Sequence, residues 1–265
     1  MQVTRVTGYI DGMNFYEASK NKQWYPAGWC NWRETMLEYC PNSVVTIKYF
    51  TTEYSGRDQK RADRQKLHLL AMEEVAKANI IKGSLRKRDL ICPECKELLT
   101  CRTPRCRCSE RLAEKMTDVN IALHLFEDAL DGKFDRAYLV SADVDLIPAV
   151  QRVVERFGDM RDMRVHVLRP PDVRSASDFA DLQRRYPDHV EVRDLELRKL
   201  RRFPDDLPKR WNMTLPEHWR ADAGPRPPHP GHENPPPAKR PKGGPTPWYE
   251  ESREYGSAPH GPRRK

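Results

Sequence analysis

Three sequence-distant segments carry aspartates at positions where a predicted strand ends or a predicted helix begins. Asp11 follows the first strand, Asp118 begins a helix, and Asp143 and Asp145 follow a later strand. Taken singly, each aspartate fits an ordinary role as a turn residue or a helix cap. Four carboxylates at one sheet edge would repel one another unless a cation or protons compensated their charge. Carboxylate oxygens without histidine suit Mg²⁺ or Mn²⁺, which activate water and stabilise charge on a phosphoryl group.

A second group of candidate ligands is a cysteine-rich segment that begins with a CxxC pair. Two cysteine pairs that enclose about ten residues can supply four thiolates to a tetrahedral zinc ion. The favoured ligands are Cys92, Cys95, Cys106 and Cys108. Cys101 is an alternative ligand, and a loop of free thiols is the competing interpretation. The remaining cysteines, Cys30 and Cys40, are predicted to be ordinary buried side chains.

The cysteine segment is also strongly basic, and it leads directly to Asp118. Its cations are Arg86, Lys87, Arg88, Arg102, Arg105, Arg107 and Arg111. Arginines beside an acidic site can bind phosphates with paired hydrogen bonds, and the competing interpretation is a solvated charged loop. Aromatic residues cluster soon after Asp11, at Trp24, Tyr25, Trp29 and Trp32. Such rings either stack on bases or pack in the core, and packing is the more common role.

The composition favours a soluble protein with an anionic partner. The chain has 265 residues, and 47 Lys and Arg against 39 Asp and Glu give a net charge of +8. A basic excess favours polyanions such as nucleic acid, and a basic surface without a partner is the competing interpretation. No segment approaches the ~18 consecutive apolar residues of a membrane helix, and the amino terminus lacks the features of a signal peptide. We therefore expect a cytoplasmic protein without membrane contacts or disulfides.

Strands and helices are predicted to alternate through residues 1–200. Short β-branched and aromatic runs predict strands at 3–10, 44–50, 80–85, 136–140, 165–168 and 190–192. Apolar residues at helical spacing predict helices at 31–39, 58–77, 118–130, 146–157 and 175–185. The helix at 118–130 is expected to bury Val119, Ala122, Leu123, Phe126 and Leu130. This alternation predicts an α/β fold with a mostly parallel sheet covered on both faces, whose sites form beyond the carboxyl ends of the strands.

The chain is predicted to form one domain at 1–200, followed by a linker and tail at 201–265. The cysteine segment at 86–111 is an insertion in that domain. From about Gly224 the chain is rich in proline and basic residues, with few apolar side chains to offset the entropy of ordering. We predict a disordered basic tail that contacts RNA phosphates, binds a proline-recognising protein partner, or only solubilises the chain.

Three runs of residues resemble the motifs of NYN domains, which belong to the PIN-like nuclease superfamily. The runs are YIDGMN at 9–14, KMTDVN at 115–120 and LVSADVD at 139–145. The resemblance extends over roughly residues 3–192, in the expected order and spacing, and looks closest to the LabA-like (DUF88) branch. Two positions depart from the family pattern. Ala142 stands where glycine is common and Leu146 where an aromatic is common, and neither position carries a carboxylate.

The resemblance implies a PIN-like three-layer sandwich that hydrolyses RNA with a bound metal ion. The acidic positions that it assigns to magnesium are Asp11, Asp118, Asp143 and Asp145. Asn14 would orient Asp11 or the scissile phosphate, and Ser141 would shape the last loop of the site. The expected reaction is hydrolysis of an RNA phosphodiester by water with one or two Mg²⁺ or Mn²⁺ ions, without a protein nucleophile.

Three other functions compete with this interpretation. A non-catalytic RNA-binding or scaffolding module is the main alternative; a missing acid would favour it, and no acid is missing. A phosphatase of the haloacid-dehalogenase type needs DxD directly after its first strand, where this chain has Asp11-Gly12-Met13-Asn14. A dinucleotide-binding enzyme is disfavoured because the chain has no GxGxxG motif.

Overall fold

The computed structural model describes residues 3–21, 28–54, 58–88, 111–170 and 176–220. All of these residues lie within one compact unit. Several sequence predictions fall outside the described residues, namely those for Trp24, Tyr25, the tail beyond residue 220 and the proposed zinc ligands. Those ligands are Cys92, Cys95, Cys101, Cys106 and Cys108.

Six parallel strands form a central sheet, and this confirms the predicted α/β class with a parallel sheet. The strands are β1 (Thr4–Asp11), β2 (Ser43–Thr51), β3 (Asn79–Lys82), β6 (Arg136–Val140), β7 (Arg164–Arg169) and β8 (Val190–Asp194). Their spatial order is β3-β2-β1-β6-β7-β8. Successive side chains of a strand point to opposite faces, so β1 contributes Val6 and Ile10 to one core and Tyr9 to the other.

Helices cover both faces of the sheet and complete a three-layer arrangement. They are α1 (Gly12–Asn21), α2 (Trp32–Tyr39), α3 (Gln59–Glu74), α4 (Thr117–Leu130), α5 (Ile147–Phe157) and α6 (Ala176–Arg185). The first three pack in the core on one face, and the last three pack in the core on the other. Among the described helices, none combines the length and the apolar character needed to cross a membrane.

Side-chain caps account for where two of the helices begin. Asn31 accepts a hydrogen bond from the amide of Glu34 at the start of α2, and Asp58 accepts one from the amide of Arg61 at the start of α3. A 3₁₀ turn at Val144–Leu146 precedes α5, so that helix begins one residue later than the periodicity predicts. Pro148 falls in the first turn of α5, where its missing amide hydrogen costs little.

The strand order reverses direction between β1 and β6. From β1 the chain builds outward through β2 and β3, and it then crosses to β6 and builds the other half through β7 and β8. The chain segments that leave β1 and β6 therefore lead to helices on opposite faces of the sheet, α1 and α5. Ligand sites of open parallel sheets form at such a reversal point.

A two-stranded hairpin stem carries the cysteine segment. Its strands are β4 (Ser84–Arg88) and β5 (Arg111–Lys115), which pair antiparallel with Ser84 opposite Lys115 and Arg88 opposite Arg111. The prediction of one strand at 80–85 is wrong, because β3 ends at Lys82 and Gly83 separates it from β4 in a different sheet. The amide of Gly83 donates to the carbonyl of Thr51 over 2.8 Å, which anchors the stem to the end of β2.

The predicted buried face of α4 is wrong for Val119, Leu123 and Leu130, whereas Phe126 does pack against the core, with its ring centroid 5.4 Å from that of Phe157. The side chains that face the sheet are Ile121, Leu125 and Ala129. Val119, Leu123 and Leu130 are each more than half exposed. Both stripes recur at helical spacing, and the true inner stripe also contains Asp128, which is only 1% exposed and interrupts its apolar pattern.

Residues 201–220, which the sequence assigns to a linker, pack against the core. Phe203 and Trp219 are buried, and the Trp219 ring stacks on Trp29 with centroids 5.5 Å apart. Trp29 Nε1 also donates to the carbonyl of Pro204 over 3.1 Å. Trp29 and Trp32 are both at most 1% exposed, so the packing interpretation of these two rings is confirmed.

Candidate active site

Asp11 is held at the carboxyl end of β1, where the chain turns directly into α1. It pairs with Phe50 of β2, it is 4% exposed, and its Oδ1 accepts a hydrogen bond from the amide of Asn14 over 3.1 Å. The turn requires Gly12, because a Cβ there would approach the Tyr49 ring to 2.6 Å and the Phe50 carbonyl oxygen to 2.8 Å. The Asp-Gly pair therefore sets the direction of the carboxylate as well as ending the strand.

The loop after β6 is hydrogen-bonded to the same carboxylate, that of Asp11. Ser141 Oγ donates to Asp11 Oδ2 over 2.9 Å and accepts a hydrogen bond from the amide of Asp143 over 3.1 Å. A second link runs from the amide of Ala142 to Asn14 Oδ1 over 3.2 Å. The structure thus brings Asp11, Asn14, Ser141 and Asp143 together across the reversal point of the sheet.

Asp143 and Asp145 share one short turn. Asp143 caps the 3₁₀ turn, and its Oδ1 accepts a hydrogen bond from the amide of Asp145 over 3.0 Å. Asp143 is half-buried, whereas Asp145 is exposed. The structural role of a cap and a role in a charged site therefore coexist at Asp143.

Asp118 reaches this acidic group from the start of α4. Burial raises the pKa of Asp118, and the negative charges of Asp143 and Asp145 raise it further. The left-handed residue Met116, with φ of 79°, turns the chain from β5 into α4. At this junction a Cβ on Gly83 would lie 2.7 Å from Thr117 Oγ1, so the hairpin base packs tightly against the helix start.

The donor set fits a hard divalent cation in its chemistry. Asp11, Asp118 and Asp143 would hold Mg²⁺ or Mn²⁺ through carboxylate oxygens, with Asp145 as a further ligand or support. Burial is the main cause of the raised pKa of Asp118, and the nearby charges of Asp143 and Asp145, which such an ion would neutralise, raise it further. Within the described parts of the chain, no three His, Cys, Asp or Glu side chains are already grouped closely enough to hold an ion together. Shared ligation would therefore need rotation of the more exposed carboxylates.

Replacing Asp118 with asparagine should stabilise the protein in the absence of divalent metal. The substitution removes a negative charge that Asp143 and Asp145 repel, so we expect the melting temperature at pH 7 in EDTA to rise by a few degrees. Thermal denaturation followed by circular dichroism measures this change. Asp188→Asn is the control, because Asp188 is an exposed aspartate in the turn between α6 and β8. An equal rise in both variants, or a fall for Asp118→Asn, would contradict electrostatic repulsion at this edge.

Two features near the site were missed by the sequence analysis. The first is a buried network in which Asp128 of α4 accepts hydrogen bonds from Lys48 of β2 over 2.6 Å and from Tyr9 of β1 over 2.7 Å. A lysine within the apolar run of β2 is the sequence signal for it, because a buried ammonium needs a partner. The second feature is a pair of cation–π contacts at the carboxyl end of the sheet, in which the Arg61 guanidinium lies over the rings of Tyr16 and Tyr54.

Comparison with known proteins found one curated relative and one solved structure. No family model matches the chain. The relative is 6-hydroxy-3-succinoylpyridine 3-monooxygenase HspA of Pseudomonas putida, which is 26% identical over 244 residues; the alignment covers 80% of this chain and 74% of the relative. The solved structure is a protein of unknown function, VPA0982, of Vibrio parahaemolyticus. It is 18% identical to this chain with a TM-score of 0.43. The superposition covers 76% of this chain and 99% of the VPA0982 chain.

Proposed function

We propose that this protein is a metal-dependent ribonuclease, with a PIN-like fold of the NYN type, that hydrolyses RNA phosphodiester bonds at the edge between β1 and β6. The observation that carries the proposal is the linkage of Asp11, Ser141 and Asp143 at the reversal point, with Asp118 facing the same acidic group. The net charge of +8 supports a polyanionic substrate. The resemblance of the three sequence runs to NYN motifs supports the same reaction.

The chain's own residues orient the site in this mechanism. When bound, Mg²⁺ or Mn²⁺ supplies Lewis-acid polarisation of the phosphodiester and activation of the attacking water. Ser141 and the amide of Asn14 hold both oxygens of Asp11, so that carboxylate keeps a fixed direction at the carboxyl end of β1. Asn14 in turn anchors the β6 loop through Ala142. Fixed carboxylates reduce the reorganisation that the transition state would otherwise require.

A cleavage assay on defined RNAs tests the proposal. Full-length protein is incubated with end-labelled single-stranded and hairpin RNAs in Mg²⁺, in Mn²⁺ and in EDTA. We expect cleavage that depends on the divalent ion and stops in EDTA. RNA that is bound but left intact in both metals would favour the alternative of a non-catalytic RNA-binding module.

The named relative supplies a second candidate function. Its printed name describes a monooxygenase that acts on 6-hydroxy-3-succinoylpyridine, and the alignment covers 80% of this chain. Hydroxylation of such a pyridine inserts one atom of O₂ and needs an external two-electron reductant. Incubation with 6-hydroxy-3-succinoylpyridine, NADH and flavin, followed by product analysis, tests this candidate. A hydroxylated product from a protein that leaves RNA intact would replace the ribonuclease proposal.

We also propose one structural zinc ion in the cysteine segment. Paired cysteines at 92/95 and 106/108, with Cys101 as an alternative ligand, suit a small zinc ribbon, and the β4–β5 stem holds the two ends of that segment side by side. Zinc thiolate bonds would contribute folding energy to a segment too small for its own core.

Elemental analysis of the reduced, purified protein should find about one zinc per chain. Cys95→Ser should lower the zinc content severalfold, because it removes one of four thiolates. Cys30→Ser is the matched control: Cys30 is buried with its Sγ 3.3 Å from Thr35 Oγ1, whereas Cys40 is only partly buried. Zinc-free wild-type protein would contradict the proposal.

A further inference from the structure

We propose that Tyr16, Tyr54 and Arg61 form a stacking platform that receives an unpaired base of single-stranded RNA beside the aspartate edge. The inference rests on the proposed function, because it assigns the base-binding part of the same site. It replaces the earlier candidates for base stacking among the described residues, since Trp29 and Trp32 are buried in the core.

The platform is built from three different elements. Tyr16 lies in α1, Tyr54 follows β2, and Arg61 lies in the first turn of α3. The Arg61 guanidinium carbon is 4.6 Å from the centroid of the Tyr54 ring and 6.0 Å from that of the Tyr16 ring. In the part of the chain that the structure describes, no carboxylate lies within ion-pair distance of Arg61. The contacts of the Arg61 guanidinium are therefore with the faces of the two tyrosine rings and not with a carboxylate.

Strand register places the platform at the aspartate edge. Asp11 ends β1 opposite Phe50 of β2, and neighbouring strands lie ~4.8 Å apart. Tyr16 follows Asp11 within the first turns of α1, and Tyr54 follows Phe50 shortly after the end of β2. Tyr16 and Tyr54 therefore both lie near the carboxyl ends of the strands, where Asp11 is also found. They are on the face of the sheet that α1 and α3 cover.

Residues 52–54, which follow β2, are held by hydrogen bonds to α3 without a bound ligand. The amide of Tyr54 donates to Gln65 Oε1 over 2.6 Å, and Gln65 Nε2 donates to the carbonyl of Thr52 over 2.6 Å. One α3 side chain therefore holds the loop at two points. Preorganisation of this kind lowers the entropy lost on binding. Tyr16 is 37% exposed, so part of its side chain remains accessible to a ligand.

The surrounding charge fits the phosphates that flank a base. The first two turns of α3 carry Lys60, Arg61, Arg64 and Lys66, with Asp63 as the acid among them. Aromatic rings and arginine planes stack on bases of any sequence, and nearby cations follow the phosphate backbone. Bases in a duplex are already stacked and paired, so a platform of this type selects single strands.

Binding in EDTA tests the platform separately from cleavage. The full chain is titrated with a fluorescent oligouridylate decamer and with a duplex of equal length. Tyr54→Ala should weaken binding of the single strand about five- to 100-fold, because one stacked base is lost. Tyr54→Phe keeps the ring and should retain wild-type affinity, and duplex binding should be unchanged in both variants. Arg61→Gln should also weaken binding of the single strand. Arg198→Gln is its control for lost charge and should bind as the wild type does, since Arg198 is exposed and belongs to a different element.

Photo-crosslinking gives a readout that loss of folding cannot imitate. An oligonucleotide with 5-iodouridine should crosslink to Tyr16 or Tyr54, as mapped by mass spectrometry on the wild-type chain. Equal single-strand affinity of Tyr54→Ala and wild type, without a crosslink to either tyrosine, would overturn the platform even if RNA is cleaved. A protein that crosslinks at these tyrosines and loses affinity in Tyr54→Ala, yet never cleaves RNA, would support the platform while the ribonuclease proposal fails.

Discussion

Replacing Asp11 with asparagine should reduce metal-dependent RNA cleavage by at least about 100-fold while the protein stays folded. Asp11 is the buried carboxylate that both Ser141 and Asn14 orient. Of the four acids it is therefore the one whose position as a metal ligand is most firmly fixed. Asparagine keeps the size and one acceptor oxygen but loses the anionic ligand. Initial cleavage rates in Mg²⁺ and in Mn²⁺, with circular dichroism to verify folding, measure the effect.

Asp194→Asn is the matched control for this substitution. Asp194 also ends a strand of the same sheet, but it belongs to the edge strand β8, pairs with Arg169 and has a side chain that is 75% exposed. Its replacement should leave cleavage unchanged. Wild-type cleavage by the Asp11→Asn protein would remove Asp11 from the proposed metal site. Asp143→Asn, which alters the other half of the linked pair, should repeat the loss.

Replacing Asp128 with alanine should lower the free energy of unfolding by about 3–5 kcal/mol, because it removes the carboxylate that neutralises the buried Lys48 ammonium and leaves only the contact of Lys48 Nζ with His124 Nδ1. Urea denaturation at pH 7 measures this cost. Burial alone would raise the pKa of Asp128, but hydrogen bonds from Lys48 and Tyr9 hold it below its ordinary value. The stabilisation is therefore complete above about pH 4 and is lost as acid protonates the carboxylate.

Two further variants separate lost charge from lost packing at Asp128. Asp131→Ala removes an exposed acid that also pairs with Lys133 and should cost less than ~1 kcal/mol. A Lys48→Met, Asp128→Leu double variant removes both buried charges and should recover much of the stability. If Asp128→Ala costs no more than Asp131→Ala, the network does not hold α4 on the sheet.

Much of the architecture could be predicted from the sequence, because the spacing of apolar residues and the residue types that form turns are local features of the chain. The runs before Asp11 and Ser141 are apolar, β-rich and followed by turn residues, so both strands and the acidic edge followed from them. Parallel strands then bring their carboxyl ends to one edge wherever each strand lies in the sheet. The hydrogen bond from Ser141 to Asp11 could not be predicted, since it depends on β1 and β6 being neighbours.

The errors arose where a tertiary contact outweighed a local pattern. On α4 two apolar stripes share the helix, and a hydropathy pattern cannot indicate that the stripe with Asp128 is the buried one. The partner that makes that burial possible, Lys48, is 80 residues earlier in the chain. Residues 201–220 appeared to be a linker because their apolar side chains are sparse. The Trp219 ring nevertheless stacks on the Trp29 ring. The two residues are far apart in the sequence, so a local sequence pattern cannot predict this contact.

Because the cysteine segment is attached to the domain through a hairpin stem, a segment of different length or fold could replace it at the same point of the chain. Ser84 and Lys115 face each other across the stem, so the chain leaves and rejoins the fold at almost the same place. The stem therefore holds the two ends of the segment close together, and the entropy of closing that loop grows slowly with its length. A tight turn, a metal ribbon or a whole recognition module could occupy this position without altering the register of β1 and β6. Because β5 leads through Met116 into the start of α4, each such exchange would be attached to the domain at the helix end that carries Asp118.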